Sequence, residues 1–381
     1  MDEVRRLKVV FIASDNSGPW FHVQYLPQQY FRKYNLLEPV AANDLHSILN
    51  TSDADLVYFQ RQYMAEIIMV ARRLRSQGKV LVSNVDDDVW NLPDNNPAKG
   101  VYTPEVLSRY EILLSEIDAT VTSTPYLKKI VLPFNSKCYV ERNLVEPFYN
   151  EFVAEGRDKD DEGLIRLGWH LTPHHHDDYL LIEKAIDIIT KKYPKVKWIF
   201  MGYRVPICDK MPPNRWEFYD FVPTQAFYPA LASLDIDLGI APLIDAPFNW
   251  GKTHRKFSEY AIMGIPCILS PVLPYLGLDK EGVALIPKTN DTNGWVEMIS
   301  YAIEHKEEME QQAIRAYKWV LTNQSIDLWI AERAAILYDI YNKAKGTNYP
   351  VPGFENKIWN FQDAEHIQNL VLVPGRNDYV T

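Results

Sequence analysis

The sequence predicts an α/β protein with two open parallel sheets, one in each half of the chain. Short all-apolar runs, such as KVVFIA at residues 8–13, have the character of strands buried on both faces of a parallel sheet. Such runs alternate with helical stretches in both halves, the pattern of strand–helix–strand units. The length, 381 residues, exceeds one ordinary core and fits two domains of roughly 150 to 180 residues.

In the first half, strands are predicted at 8–13, 54–59, 79–83, 119–122 and 138–140. The turn-rich SDNSGPW follows the first strand, before a polar and aromatic segment reaching Tyr34. Helices are predicted at 65–77, closed by Gly78, and at 105–117, with a further helix start at Thr124–Pro125. The charged stretch 155–163, EGRDKDDEG, reads as the linker. The alternation then restarts. Strands are expected at 165–169, 196–201, 216–221, 236–241, 266–269 and 283–286, and helices at 178–192, 224–231, 295–320 and 326–345. The domain expectation is therefore 1–155 and 163–320, a C-terminal helix within 321–345 that packs back on the first domain, and an irregular extension over 346–381.

Apolar residues make up 47% and charged residues 24%, the balance of a folded soluble protein. A net charge of −10 argues against a generally basic nucleic-acid surface. Cys138, Cys208 and Cys267 are far apart and odd in number, so neither a disulfide framework nor a cysteine zinc site is expected, and a reducing compartment fits. The opening MDEVRRLKVVFIAS reads as a first strand rather than a signal peptide. No stretch approaches the ~18 apolar residues of a membrane span.

The chemistry concentrates in residues 245–270, DAPFNWGKTHRKFSEYAIMGIPCILS. Read as a helix over 252–263, this stretch puts Phe257, Tyr260, Ala261 and Gly264 on one packing stripe. Lys252, Lys256 and Glu259, at i, i+4 and i+7, then share another face. Two cations near a helix start suit an anion, and a carboxylate one turn later suits sugar hydroxyls. The same triplet is also the pattern of a solvated helix face. In open α/β sheets ligands bind outside the carboxyl ends of the strands. That rule gathers SDNSGPW, NVDDDVW, GWHLTPHHHDD, MGYR and FNWGKT around one cleft.

These residues resemble the GT-B sugar-nucleotide glycosyltransferases, in which two Rossmann-like domains face each other across a cleft. Glu259 through Pro266, EYAIMGIP, is similar to the EAMAxGxP helix of the retaining branch. More narrowly, Phe248–Asn249, Lys252–Thr253, Lys256, Glu259–Tyr260, Ala261, Gly264 and Pro266 look like the FNxxKSxxKxxEYxAxGxP signature of a bacterial and phage subgroup. That subgroup's DDxxxxxP element is matched by Asp87–Asp88 through Pro93, its vTxSTPxL segment by Val121 through Leu127, and its GW…H..D loop by Gly168–Trp169 through His175 and Asp178.

The resemblance implies an acceptor domain first and a donor domain second, a nucleotide-diphosphate sugar such as a UDP-sugar as donor, transfer with retention, no cofactor and no metal. Lys252, Asp87, Asp88 and His175 would be catalytic. Gly18, Gly202, Arg204, Asn249, Gly251, Lys252, Thr253, Lys256 and Glu259 would bind the donor. Cytoplasmic placement is expected, in a bacterium or in the host of a phage.

The sequence departs from the family where Gly251 replaces the first glutamate of an E-x7-E pair. The Arg/Lys pair of many relatives is also missing, its loop occupied by HLTPHHHDD. Three adjacent histidines cannot all reach one ion from regular structure, and Asp86–Asp88 reads equally as a capped turn. Arg61 and Arg204, just past strands, suit either phosphate or a structural ion pair. A glycan, lipid-linked sugar or modified nucleic-acid base as acceptor, a nucleotide-sugar epimerase, and a non-catalytic GT-B-like binding protein all remain open at this level.

Overall fold

The computed structural model describes residues 5–13, 20–42, 44–49, 53–147, 163–359 and 361. The described residues form two compact units. One comprises those up to Leu144 together with Gly251–Thr253 and those from Gln324 onward; the other comprises Val145–Trp250 and His254–Asn323. The expected linker falls almost wholly outside the described residues, as does most of the C-terminal extension.

The first unit is a six-stranded parallel sheet. Its strands are β1 (Lys8–Ala13), β2 (Glu38–Ala42), β3 (Leu56–Gln60), β4 (Val80–Val85), β5 (Ala119–Thr122) and β6 (Cys138–Val140), in the order β2-β1-β3-β4-β5-β6. The strand at Glu38–Ala42 was not expected, because EPVAA opens on a glutamate and a proline and its apolar run is only three residues, two of them alanine. It is an edge strand, where a proline is tolerated, and its Pro39 carbonyl accepts a hydrogen bond from Arg32. Thr103 and Thr124 cap the helices Pro104–Glu116 and Pro125–Val131, each with proline at the first helical position.

Helix Ile326–Lys345 belongs to this unit and fills its core. Ile330, Ala334, Leu337 and Tyr338 lie in one apolar cluster with Val9, Phe11, Leu56, Val82 and Val121. Two buried ion pairs fix the helix to the segment leaving β6. Arg142 Nε lies 2.6 Å from Glu332 Oε2, and Arg333 Nε lies 2.7 Å from Glu141 Oε2.

The second unit is a five-stranded parallel sheet, β7 (Ile165–His170), β8 (Val196–Met201), β9 (Trp216–Tyr219), β10 (Leu238–Ala241) and β11 (Cys267–Leu269), ordered β11-β10-β7-β8-β9. The strand expected at 283–286 is reduced to one bridge, Ile268 to Leu285. The helix expected over 295–320 is two helices, Thr292–Glu304 and Lys306–Gln324, interrupted at His305. No helix among the described residues is long and apolar enough to cross a membrane.

Candidate functional site

Helix Arg255–Ile262 packs tightly on the second sheet because glycine lies beneath it. A Cβ on Gly239 of β10 would come within 2.6 Å of the Tyr260 ring. The Tyr260 hydroxyl meets the carbonyls of Gly168 and Ile240 at 3.0 and 3.1 Å. Phe257, Tyr260 and Ala261 are buried, as their spacing predicts, whereas Gly264, expected on the same stripe, lies past the helix end and is exposed. The helix is shorter than expected, however. It begins at Arg255, so Lys252 and Thr253 lie outside it and cannot share a helical face with Lys256 and Glu259. The residues before it are held elsewhere: the Gly251 carbonyl accepts from Thr124 Oγ1 at 3.3 Å, and Thr253 Oγ1 accepts from Asn143 Nδ2 at 2.6 Å.

Helix geometry carries Glu259 to the carboxyl end of β7. There its two carboxylate oxygens meet His170 Nε2 at 2.8 Å and Arg255 Nε at 3.2 Å. Lys256 Nζ donates to the His170 carbonyl at 2.5 Å. Burial, with the nearby Lys256 charge, lowers His170 to about 4 and keeps its ring neutral at pH 7. Burial alone would raise Glu259; the His170 hydrogen bond and the cations Arg255 and Lys256 outweigh it and hold the carboxyl well below its usual range. The cluster therefore carries one anion and two cations, a net positive charge suited to a phosphate. Sequence reasoning missed His170, since a histidine ending a buried strand carries no local signal of its partner 89 residues away.

The other donor-side candidates of this unit are more dispersed. Gly202 follows β8 with φ +93°, and a Cβ there would come within 2.5 Å of the Leu171 carbonyl oxygen. Arg204 is ion-paired to Asp209 and stacks over the Trp216 ring. Asn249 is buried and donates to the Ile244 carbonyl at 3.0 Å. His175 Nδ1 meets Asp178 Oδ2 at 2.7 Å, while the other Asp178 oxygen accepts from the Ile244 backbone at 2.7 Å. His174 and His176 turn to Thr172 and Tyr203. The three histidines thus go to three separate partners. Among the described residues, no group of three or more His, Cys, Asp or Glu is placed to hold a metal.

In the first unit the aspartate run follows β4. Arg61 bridges it, with Nε 2.9 Å from Asp86 and Nη2 2.7 Å from Asp87. The ion-pair reading of Arg61 is the one observed, on a backbone at φ +50° that an arginine rarely adopts. Asp88 is fully buried and caps the turn at Val89–Asn91, accepting from the Asn91 side chain at 2.8 Å. Asp87 keeps a third of its side chain exposed. Lys252 is half-buried, and Gly18 lies outside the described residues.

The sequence matches no family model and no curated protein. Solved structures do match. HepE of Anabaena, in complex with UDP and glucose, superposes with a TM-score of 0.63 at 13% identity, over 88% of this chain and 100% of that one. Sucrose-phosphate synthase of Thermosynechococcus elongatus gives 0.64 at 10% identity, over 89% and 100%. An alpha-glucosyltransferase in complex with UDP-glucose and DNA containing an abasic site gives 0.60 at 11% identity, over 87% and 98%. At such identities the likeness speaks for architecture: the chain has the GT-B fold of these glycosyltransferases.

Proposed function

We propose that the protein is a glycosyltransferase that moves a sugar from a nucleotide-diphosphate sugar to an acceptor hydroxyl, with retention at the anomeric carbon. The observation carrying this reading is the Glu259–Arg255–Lys256 cluster at the carboxyl end of β7, in a fold whose neighbours include proteins solved with UDP and UDP-glucose. Lys252 and Lys256 neutralise the diphosphate as it leaves, and such electrostatic help is usually the largest catalytic contribution. Glu259 orients the donor. The bond from anomeric carbon to phosphate oxygen breaks, the bond to the acceptor oxygen forms, and the acceptor proton passes to the departing diphosphate. Asp87, ion-paired yet partly exposed, is the acceptor-side carboxylate. Asp88 supports it by holding the turn, and His175 holds the loop after β7 through Asp178. The remaining described donor-side candidates Gly202, Arg204, Asn249, Gly251 and Thr253 shape the surroundings of the nucleotide. The reaction needs neither metal nor cofactor and runs in the cytoplasm.

A thermal-shift screen against UDP-, GDP- and TDP-sugars tests the donor, since a ligand stabilises the state it binds. Product analysis with candidate acceptors then tests transfer. Failure of every nucleotide sugar to stabilise or react would favour a non-catalytic protein. Release of an epimerised sugar without acceptor would favour an epimerase, and salt-steep DNA affinity with transfer to DNA would favour a nucleic-acid base as acceptor.

A further inference from the structure

We infer that His170 is a positioning residue for the donor, acting through Glu259 and Lys256 rather than by contact with the reacting atoms. The inference rests on the glycosyltransferase reading above. One residue holds both partners: its ring nitrogen Nε2 meets Glu259 at 2.8 Å, and its carbonyl takes the Lys256 ammonium at 2.5 Å. The ring is itself clamped edge-on by Tyr260 at 4.8 Å and Phe227 at 5.3 Å between centroids, so it has one orientation to offer. With Glu259 anionic and the ring neutral, the shared proton sits on Nε2, and Nδ1 is a buried acceptor with no hydrogen-bond partner.

The unmatched ring nitrogen costs free energy, which the hydrogen bond from the other ring nitrogen to Glu259 offsets. Its retention fits a ring whose other nitrogen must donate to a carboxylate. Without that donor, Glu259 is left to Arg255, its neighbour one turn back in the helix. The carboxylate then swings toward the cation, and the charge pattern facing a diphosphate changes.

The test compares His170→Leu, which deletes the donor, with His170→Gln, whose side-chain amide places an N–H close to the position of Nε2. Donor KM, acceptor KM and kcat are measured for both and for the wild type, with UDP-glucose as the first probe and the other nucleotide sugars after it. His170→Leu is expected to raise the donor KM at least tenfold while the acceptor KM stays within twofold, and His170→Gln to restore most of the loss. A fall in kcat alone with donor KM unchanged, or equal losses in both variants, would overturn the inference and leave His170 as core. If His170→Leu does not fold, the Gln variant decides: a wild-type donor KM supports the inference, and a tenfold increase overturns it. Should the wild type bind no nucleotide sugar, the glycosyltransferase reading falls, and this inference with it. Wild-type binding with an unchanged KM in both variants defeats the inference alone.

Discussion

Gly251 lies against Asp88: a Cβ at position 251 would stand 3.3 Å from the Asp88 Cβ and 3.0 Å from Leu127 Cδ2. The glycine that stands where a paired-glutamate pattern would place its first glutamate therefore sits in close quarters, with contacts tighter than most Cβ atoms make. A longer side chain would press on the turn that Asp88 caps and add a fourth acidic group beside Asp86–Asp88, where Arg61 is the bridging cation.

Gly251→Glu is accordingly expected to lower stability by about 1–3 kcal/mol, the usual cost of overpacking, and to gain no activity. Chemical denaturation and a transfer assay measure the two halves of this expectation. A variant as stable as the wild type and more active would show that the pattern was lost for another reason.

Arg333→Ala leaves the buried Glu141 carboxylate without its cation. The expected loss is about 3–5 kcal/mol, as for other broken buried pairs. Replacing both partners, Arg333→Met with Glu141→Leu, should recover part of that loss. Recovery is incomplete because Glu141 also accepts from Tyr58 at 3.3 Å. Denaturation midpoints of the single and double variants provide the check.

Acid should weaken the fold through two histidines. Burial lowers both His170 and His254 to about 4, against about 6.5 in an unfolded chain. Above pH 6.5 both are neutral in both states, and their contribution is fully present. Between about 6.5 and 4 the unfolded chain takes up protons that the folded chain refuses, so stability falls with pH. The melting temperature of His254→Leu should depend less steeply on pH between 7 and 5 than that of the wild type. Parallel curves would remove His254 from this account.

Lys252→Ala and Lys256→Ala test the proposed handling of the diphosphate. Each is expected to slow transfer by about a hundredfold or more while circular dichroism and melting remain close to wild type. Undiminished turnover in Lys252→Ala would exclude that lysine from the reaction.

The two sheets were largely legible because buried parallel strands write themselves as apolar runs: KVVFIA, LVYF and VKWIFM each appear where expected. Glu38–Ala42 was not, since an edge strand needs only one neighbour and need not be apolar. The helix that carries Glu259 was read as starting three residues too early and ending one too late, and the partners that hold Gly251 and Thr253 outside it, Thr124 and Asn143, lie over a hundred positions away in sequence. The same limit hid His170. Lys256 and Glu259 were visible through spacing and resemblance, but a strand-end histidine becomes informative only once the fold brings the later helix to it.

The place of helix Ile326–Lys345 in the first unit has a consequence for how the protein is made. A ribosome releases β1 to β6 early, yet Ile330, Ala334, Leu337 and Tyr338, which complete their core, emerge only after the whole second sheet. The early sheet must wait with an apolar face uncovered, and exposed faces of this kind are where nascent chains aggregate or recruit chaperones. The second unit, whose strands are consecutive in sequence, faces no such delay. The half of the protein synthesised first is thus the half that finishes folding last, and stalling translation before residue 326 should trap it in a protease-sensitive form.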